Sequence, residues 1–244
     1  MPSPSGPAAT PLPAASPTTT TPTVAAGTPT AAAPPPVAPL PTVTAIPTVA
    51  PGSVANSIPL FDTSGVLPPF IGANPAIQAG RAPYRTTLLE LVDRFATSPT
   101  RKAILEGFLN HRDALQNLGF TGFQWLDGSF LEDIETTEGR PPRDIDVVSI
   151  LFPPAAFLSD MALFQAAVSS NPDIFVPDQS KLTYRTDARY VNILAGPEST
   201  IKQTAYWFGL FSHRRADRVW KGMLEVPLNS AENPAAARTL LASR

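Results

Sequence analysis

The sequence predicts a single domain of α/β or α+β layering behind a long tail, and three observations carry that expectation. Apolar residues recur at helical spacing from Thr86 to Leu118, a β-branched run follows at Asp144 to Phe152, and helix and strand patterns alternate from there to the C-terminus. All 38 charged side chains lie at or beyond Asp62, whereas residues 1–52 hold 15 Pro, 12 Ala and 11 Thr. A segment of that composition buries no core, so 1–57 is read as a disordered Pro/Ala/Thr-rich tail. Residues 58–85 gain Ile58, Leu60, Phe61, Val66 and Leu67 and are read as an extended, ordered lead-in. The folded domain is expected over 86–244.

The elements follow in order. A first helix runs from Thr86 or Thr87 to Ala96 on Leu88, Leu89, Leu91, Val92 and Phe95. Ser98-Pro99 caps a second, because Ser accepts orphan amide hydrogen bonds and Pro suits the first turn. Its stripe is Ile104, Leu105, Phe108, Leu109, Leu115 and Leu118, Gly119 ends it, and His111 falls on its solvent side. Phe120 to Leu126 reads as a short strand, Asp127-Gly128-Ser129 as a tight turn, and Phe130 to Glu135 as the start of a helix. Asp144 to Phe152 is expected to be the central strand. A helix over Phe157 to Val168, a strand in Arg189 to Leu194, a helix from Ser199 to Phe211, a strand in Val219 to Val226 and a helix from Pro234 to Leu241 complete the alternation.

Composition excludes several functions. With no cysteine there is no disulfide, no thiolate nucleophile and no Cys-based zinc or iron–sulfur centre. A net charge of −2 argues against general coating of nucleic acid. No run approaches the roughly 18 apolar residues that cross a bilayer. Residues 1–30 lack the basic start and compact apolar stretch of a secretory signal, so the expected location is the cytoplasm, away from membranes.

Two motifs carry chemistry. An acid-x-acid pair alone is weak, since 20 acids in the chain give roughly two by chance. Asp144 and Asp146 say more, because they open a strong β-forming run, where side chains two apart share one face and Ile145 takes the other. Two such anions repel and are usually stabilised by a cation; oxygen donors select Mg²⁺ or Mn²⁺. Upstream, Gly128-Ser129 lies at a strand-to-helix turn, where glycine admits backbone amides to a phosphate and a helix N-terminus favours negative charge.

In this order, Leu126-x-Gly128-Ser129 followed by Asp144-Ile145-Asp146-Val147 resembles the signature of the nucleotidyltransferase superfamily, the polymerase-beta-like fold. The resemblance covers about residues 120–195. The stretches Phe123 to Phe130, Arg140 to Val147 and Tyr206 to Arg215 also look like an uncharacterised bacterial group within that fold. The 14 residues between Ser129 and Asp144 exceed the spacing of minimal members, which a loop insertion over Glu135 to Pro142 would explain. The resemblance implies an α+β fold, a small mixed sheet flanked by helices. It also implies a nucleoside triphosphate on the Gly-Ser turn, Mg²⁺ or Mn²⁺ on Asp144 and Asp146 as catalytic and metal-holding residues, and transfer of a nucleoside monophosphate to a hydroxyl. Acceptors across the superfamily include small molecules, RNA ends and, in antitoxin-type members, a partner protein. The other reading is a non-catalytic module that binds nucleotide or a protein partner.

Charge is divided along the chain. Residues 132–146 hold six acids and two arginines, whereas 181–221 hold eight basic residues against three acids. Within the basic half, Ser212-His213-Arg214-Arg215 follows an aromatic helix, and Arg214 and Arg215 are the expected phosphate contacts. RNA binding through 206–221 is the weaker reading. Members of the superfamily usually carry a third carboxylate on the next strand between apolar neighbours. Here that position is Asn192, an amide that can ligate metal but cannot accept a proton. Asp187 lies five residues earlier, on the opposite face by parity and about 16 Å away along a straight strand. The expected metal set is therefore Asp144, Asp146 and Asn192, with weak or absent transfer. For the tail, deletion of residues 1–52 is expected to leave the melting temperature within about 1–2 °C in thermal denaturation, because such a segment buries little.

Overall fold

A computed structural model describes residues 57–229 and 231–244, and the expected tail lies outside these. One mixed sheet contains β1 (Tyr84–Arg85), β2 (Thr121–Asp127), β3 (Ile145–Phe152), β4 (Thr186–Val191) and β5 (Leu224–Leu228), in the order β1-β5-β2-β3-β4. Strand β2 pairs antiparallel with both β3 and β5, while β1 with β5 and β3 with β4 are parallel. Around it stand α1 (Leu88–Phe95), α2 (Pro99–Asn117), α3 (Ile134–Glu138), α4 (Ala155–Ser159), α5 (Met161–Ser170), α6 (Pro172–Phe175), α7 (Pro177–Tyr184), α8 (Pro197–Phe211) and α9 (Pro234–Ser243). The fold is α+β, a small mixed sheet flanked by helices, in the class the sequence predicts. Among the described residues no helix is long and apolar enough to cross a membrane.

Side-chain alternation gives each sheet face its own cover. Leu126, Ile145, Val147, Leu224 and Val226 point to a core built with Leu88, Phe95, Ile104, Phe108 and Leu241, so α1, α2 and α9 cover that face. Trp125, Val148, Ile150 and Val191 point the other way, against Trp207, Phe208 and Phe211 of α8. Helix α1 starts on a reciprocal capping box between Thr87 and Glu90, and the Ser57 hydroxyl donates to Glu90 Oε2 at 2.9 Å, which fastens the start of the lead-in. Ser98 caps α2 through the Arg101 amide.

The structure departs from the sequence expectation in several places, among them the strand expected over Val219 to Val226, which is β5 at Leu224–Leu228. The middle strand is β2, with β3 interior beside it, because β5 returns to pair on the far side of β2. The helix expected over 157–168 is broken at Asp160, whose carboxylate accepts from the Ala162 and Leu163 amides and starts α5 afresh. Helices α6 and α7 begin at Pro172 and Pro177 and carry little apolar periodicity, with only Ile174 and Ser180 buried. Arg185, in the left-handed region at φ 53, ends α7 and starts β4 at once, so this strand lies three residues earlier than expected. His111 is buried rather than exposed: its Nε2 lies 3.0 Å from the Tyr190 hydroxyl, and burial lowers its pKa to about 4.

Helices α2 and α7 meet at Gly107, where an added Cβ would stand 2.0 Å from the Tyr184 carbonyl oxygen. Gly107→Ala, which would favour an isolated helix by about 1 kcal/mol, is therefore expected to destabilise the domain by about 1–3 kcal/mol through overpacking. Calorimetry should show a melting temperature lower by several degrees.

Candidate functional site

Strand register builds the site. Asp127 of β2 pairs with Asp146 of β3, and Asp146 pairs with Asp187 of β4. Residues in register on adjacent strands share a face, so three carboxylates stand side by side on the face covered by α8. Asp144, two residues before Asp146, joins them from the strand entrance. Asn192 is not among them: it lies past the end of β4, where its side chain accepts from the Leu194 amide at 3.0 Å and caps a 3-10 helix at Ile193–Ala195. The apolar flanks that singled out Asn192 belong to the strand exit, and the acid beside Asp146 is Asp187. The earlier start of β4 removes both the parity and the distance objections to it.

Cations meet this row from both sides. Lys181, near the end of α7, places Nζ 2.6 Å from Asp187 Oδ2 and 3.3 Å from Asp144 Oδ2. Arg189 Nε donates to Asp187 Oδ1 at 3.0 Å. On the inner side, the buried Lys221 donates to Glu132 Oε1 at 2.6 Å and lies 3.0 Å from Asp127 Oδ1. The Asp127 contact falls outside hydrogen-bonding geometry, which leaves that buried oxygen with electrostatic support alone. Burial pushes the Asp127 carboxyl up to about 7 even against the pull of Lys221. Burial, then Asp144 and Asp187, raise Asp146 to about 6. For Lys181, partial burial favours the neutral amine, but the two carboxylates outweigh it and the ammonium is held above its ordinary range.

The Gly128-Ser129 turn faces this row. Gly128 has φ 83, and a Cβ there would sit 2.4 Å from Asp146 Oδ2, so only glycine lets the turn approach the carboxylates. The segment after it is one 3-10 turn at Ser129–Leu131 and then the five-residue α3, not the helix expected to start over Phe130 to Glu135. Anion binding here would thus rest on turn amides and the Ser129 hydroxyl, without an appreciable helix dipole. Arg101 fixes the far side of the turn, donating to the Phe130 and Glu132 carbonyls at 2.6 and 2.7 Å and, bidentate, to Glu135 at 2.7 Å.

Turn and carboxylates open into a cavity of about 430 Å³, in the size range of small-molecule sites. The two arginines expected there behave differently. Arg214 has its donors committed to Asp217, at 2.9 and 2.5 Å, and to the Ser64 carbonyl at 2.8 Å, so it braces a loop. Arg215 is exposed at the cavity wall, and so is Arg143, whose position before Asp144 gave no reason to select it; among the described residues neither forms an ion pair. Sequence reasoning also passed over Asp127 and Lys221, which acquire a role only through the strand pairing and the loop that bring them together.

Among the described residues no three His, Asp or Glu side chains are grouped so as to hold a metal ion. By donor chemistry the row suits a hard divalent cation: Asp144, Asp146 and Asp187 are oxygen donors with surplus negative charge, and burial together with its two acidic neighbours raises Asp146. Lys181 supplies part of that missing positive charge in this structure.

Fold and site together define an α+β domain in which one end of the sheet gathers carboxylates opposite a tight glycine turn, with guanidinium groups at the rim that pair with no acid among the described residues. The chain belongs to a family of unknown function, DUF6932, whose pattern matches residues 59–227. No curated protein and no solved structure matches it.

The raised Asp146 sets a pH test. In the folded state its carboxyl holds a proton up to about pH 6, well above the unfolded value of 3.8, so its charge costs stability above that range and the cost fades as pH falls. With chelator present, Asp146→Asn is expected to melt a few degrees above the wild type at pH 8. The gap should narrow below about pH 6 and close only as the pH approaches 4, as followed by thermal denaturation across pH.

Proposed function

We propose that the protein is a nucleotidyltransferase, moving a nucleoside monophosphate from a nucleoside triphosphate to a hydroxyl acceptor with Mg²⁺ or Mn²⁺. The observation that carries this reading is the register of β2, β3 and β4, which sets Asp146 and Asp187 beside each other and beneath the Gly128-Ser129 turn. The membership of the chain in the nucleotidyltransferase superfamily is part of the same proposal. It rests on the Gly-Ser and Asp-x-Asp motifs and on the mixed sheet that carries them.

In this reading the Ser129 hydroxyl and the turn amides hold the terminal phosphates, while Arg143 and Arg215 neutralise their outer oxygens. Asp144, Asp146 and Asp187 would hold the metal, which supplies charge neutralisation for the departing pyrophosphate and acidity to the acceptor oxygen. The acceptor oxygen forms a bond to the α-phosphorus as the bond from that phosphorus to its bridging oxygen breaks. Pyrophosphate leaves, and the hydroxyl proton passes to the Asp187 carboxylate on the edge strand. With an acid in this place, the reason to expect weak transfer from Asn192 falls away. Lys181 must release Asp187 for this to occur, and its ammonium is within reach of incoming phosphate.

The ion pairs from Lys181 to Asp144 and Asp187 favour a second reading, in which the row is already neutralised and the domain binds nucleotide or a protein partner without catalysis. Incubation with each α-labelled triphosphate, Mg²⁺ or Mn²⁺ and cell lysate separates the two. Label transfer with pyrophosphate release is expected, and Asp144→Asn, Asp146→Asn and Asp187→Asn should each reduce it by about a hundredfold or more. No transfer under any of these conditions, with thermal stabilisation by triphosphate retained, would establish the binding module instead.

A further inference from the structure

A second cavity, of about 210 Å³, lies against the first and shares Asp146, Asp187 and Arg215 with it. Its character differs. Tyr206 and Trp207 of α8 form one wall, their rings edge to face at 5.0 Å between centroids. Trp207 is wedged on its inner side against Phe211, at 6.0 Å, whereas Tyr206 is 62% exposed and supports nothing in the core. Arg189 and Arg215 also line this cavity. Arg189 uses only Nε on Asp187, which leaves its terminal nitrogens without a partner among the described residues.

We infer that this second cavity is the acceptor subsite and takes a nucleoside monophosphate unit; the inference rests on the transfer reading above. A flat ring is matched by the Tyr206–Trp207 wall, since base stacking on aromatic side chains needs no particular base edge. A phosphate is matched by the free terminal nitrogens of Arg189, and Arg215, on the wall common to both cavities, adds positive charge. The shared carboxylates place the acceptor's hydroxyl beside Asp187, between the two cavities. A sugar hydroxyl there would form the new oxygen bond to the α-phosphorus, release pyrophosphate and give its proton to Asp187, leaving a phosphodiester. Free nucleotides and the terminal nucleotide of an oligonucleotide share this chemistry, whereas a serine or threonine hydroxyl offers neither the ring nor the phosphate and a tyrosine hydroxyl offers no phosphate.

The test is calorimetric titration of the full chain with AMP, GMP, CMP and UMP, each alone and with saturating non-hydrolysable triphosphate and Mg²⁺. Ribose 5-phosphate and a trinucleotide serve as further arms. At least one monophosphate should bind at one site, with affinity changed less than about threefold by the triphosphate, and ribose 5-phosphate should bind about tenfold more weakly or worse. Tyr206→Ala and Arg215→Gln, both at exposed positions, should each weaken the monophosphate about tenfold, and Tyr206→Ala should leave triphosphate affinity unchanged. A trinucleotide at least tenfold tighter than any mononucleotide would make a chain terminus the source; equal or weaker binding would make it a free nucleotide. The subsite is overturned if no monophosphate binds, if triphosphate displaces it one for one, or if Tyr206→Ala has no effect. Absence of monophosphate binding together with label transfer to a lysate protein would overturn the subsite while leaving the transferase reading intact. Absence of label transfer with monophosphate binding intact would overturn the transferase reading, and the acceptor role with it.

Discussion

Three carboxylates on adjacent strands cannot retreat from one another, because the backbone hydrogen bonds that pair β2 with β3 and β3 with β4 also fix their spacing. At roughly 5 Å and an effective dielectric near 20, two such charges repel by about 3 kcal/mol. The surroundings are arranged around that cost. Lys181 and Arg189 meet the row from the solvent side, and Lys221 meets it from within, tying Asp127 to Glu132. Asp146, in the middle, has no ion-pair partner of its own among the described residues, and burial first, then the neighbouring Asp144 and Asp187, raise its proton affinity.

Support for the glycine turn comes from distant parts of the chain. Arg101, at the start of α2, holds the outgoing carbonyls of Phe130 and Glu132, while Lys221 holds the Glu132 side chain. The lead-in completes the frame: the Gly65, Ser64 and Leu67 carbonyls accept from the Asp133 amide, Arg214 and the Gly222 amide, at 2.8, 2.8 and 2.7 Å. The short loop between β2 and α3 is thereby held by these bonds as well as by Phe130 and Leu131, which are buried in the core.

Much of this was legible in the sequence, and the failures have specific causes. The capped helices α1 and α2 and the strand opened by Asp144-x-Asp146 were readable because periodicity, caps and β-branching agree there. The Gly-Ser turn was readable because an acid and a glycine follow a strand pattern. The start of β4 was not, because α7 shows almost no apolar stripe and its end depends on one left-handed arginine. That error moved the third acid from Asp187 to Asn192. Arg214 and Arg215 are indistinguishable as residue types; only the nearby Asp217 and the Ser64 carbonyl decide which one is free. His111 sits at a position that helical spacing assigns to solvent, and α6, unseen in the pattern, covers it through the Ile174 carbonyl and Tyr190.

The strap formed by residues 64–67 also orders events in time. The groups these residues bond belong to positions 133, 214 and 222, the last of them about 155 residues further along the chain than Leu67. Synthesis proceeds at about 5–20 residues per second, so the strap waits several seconds, at the least, for its final partner. The carboxylate row therefore receives its buried ammonium, Lys221, after all of its own members have been made. Until then the nascent chain carries its acids without that internal counter-charge.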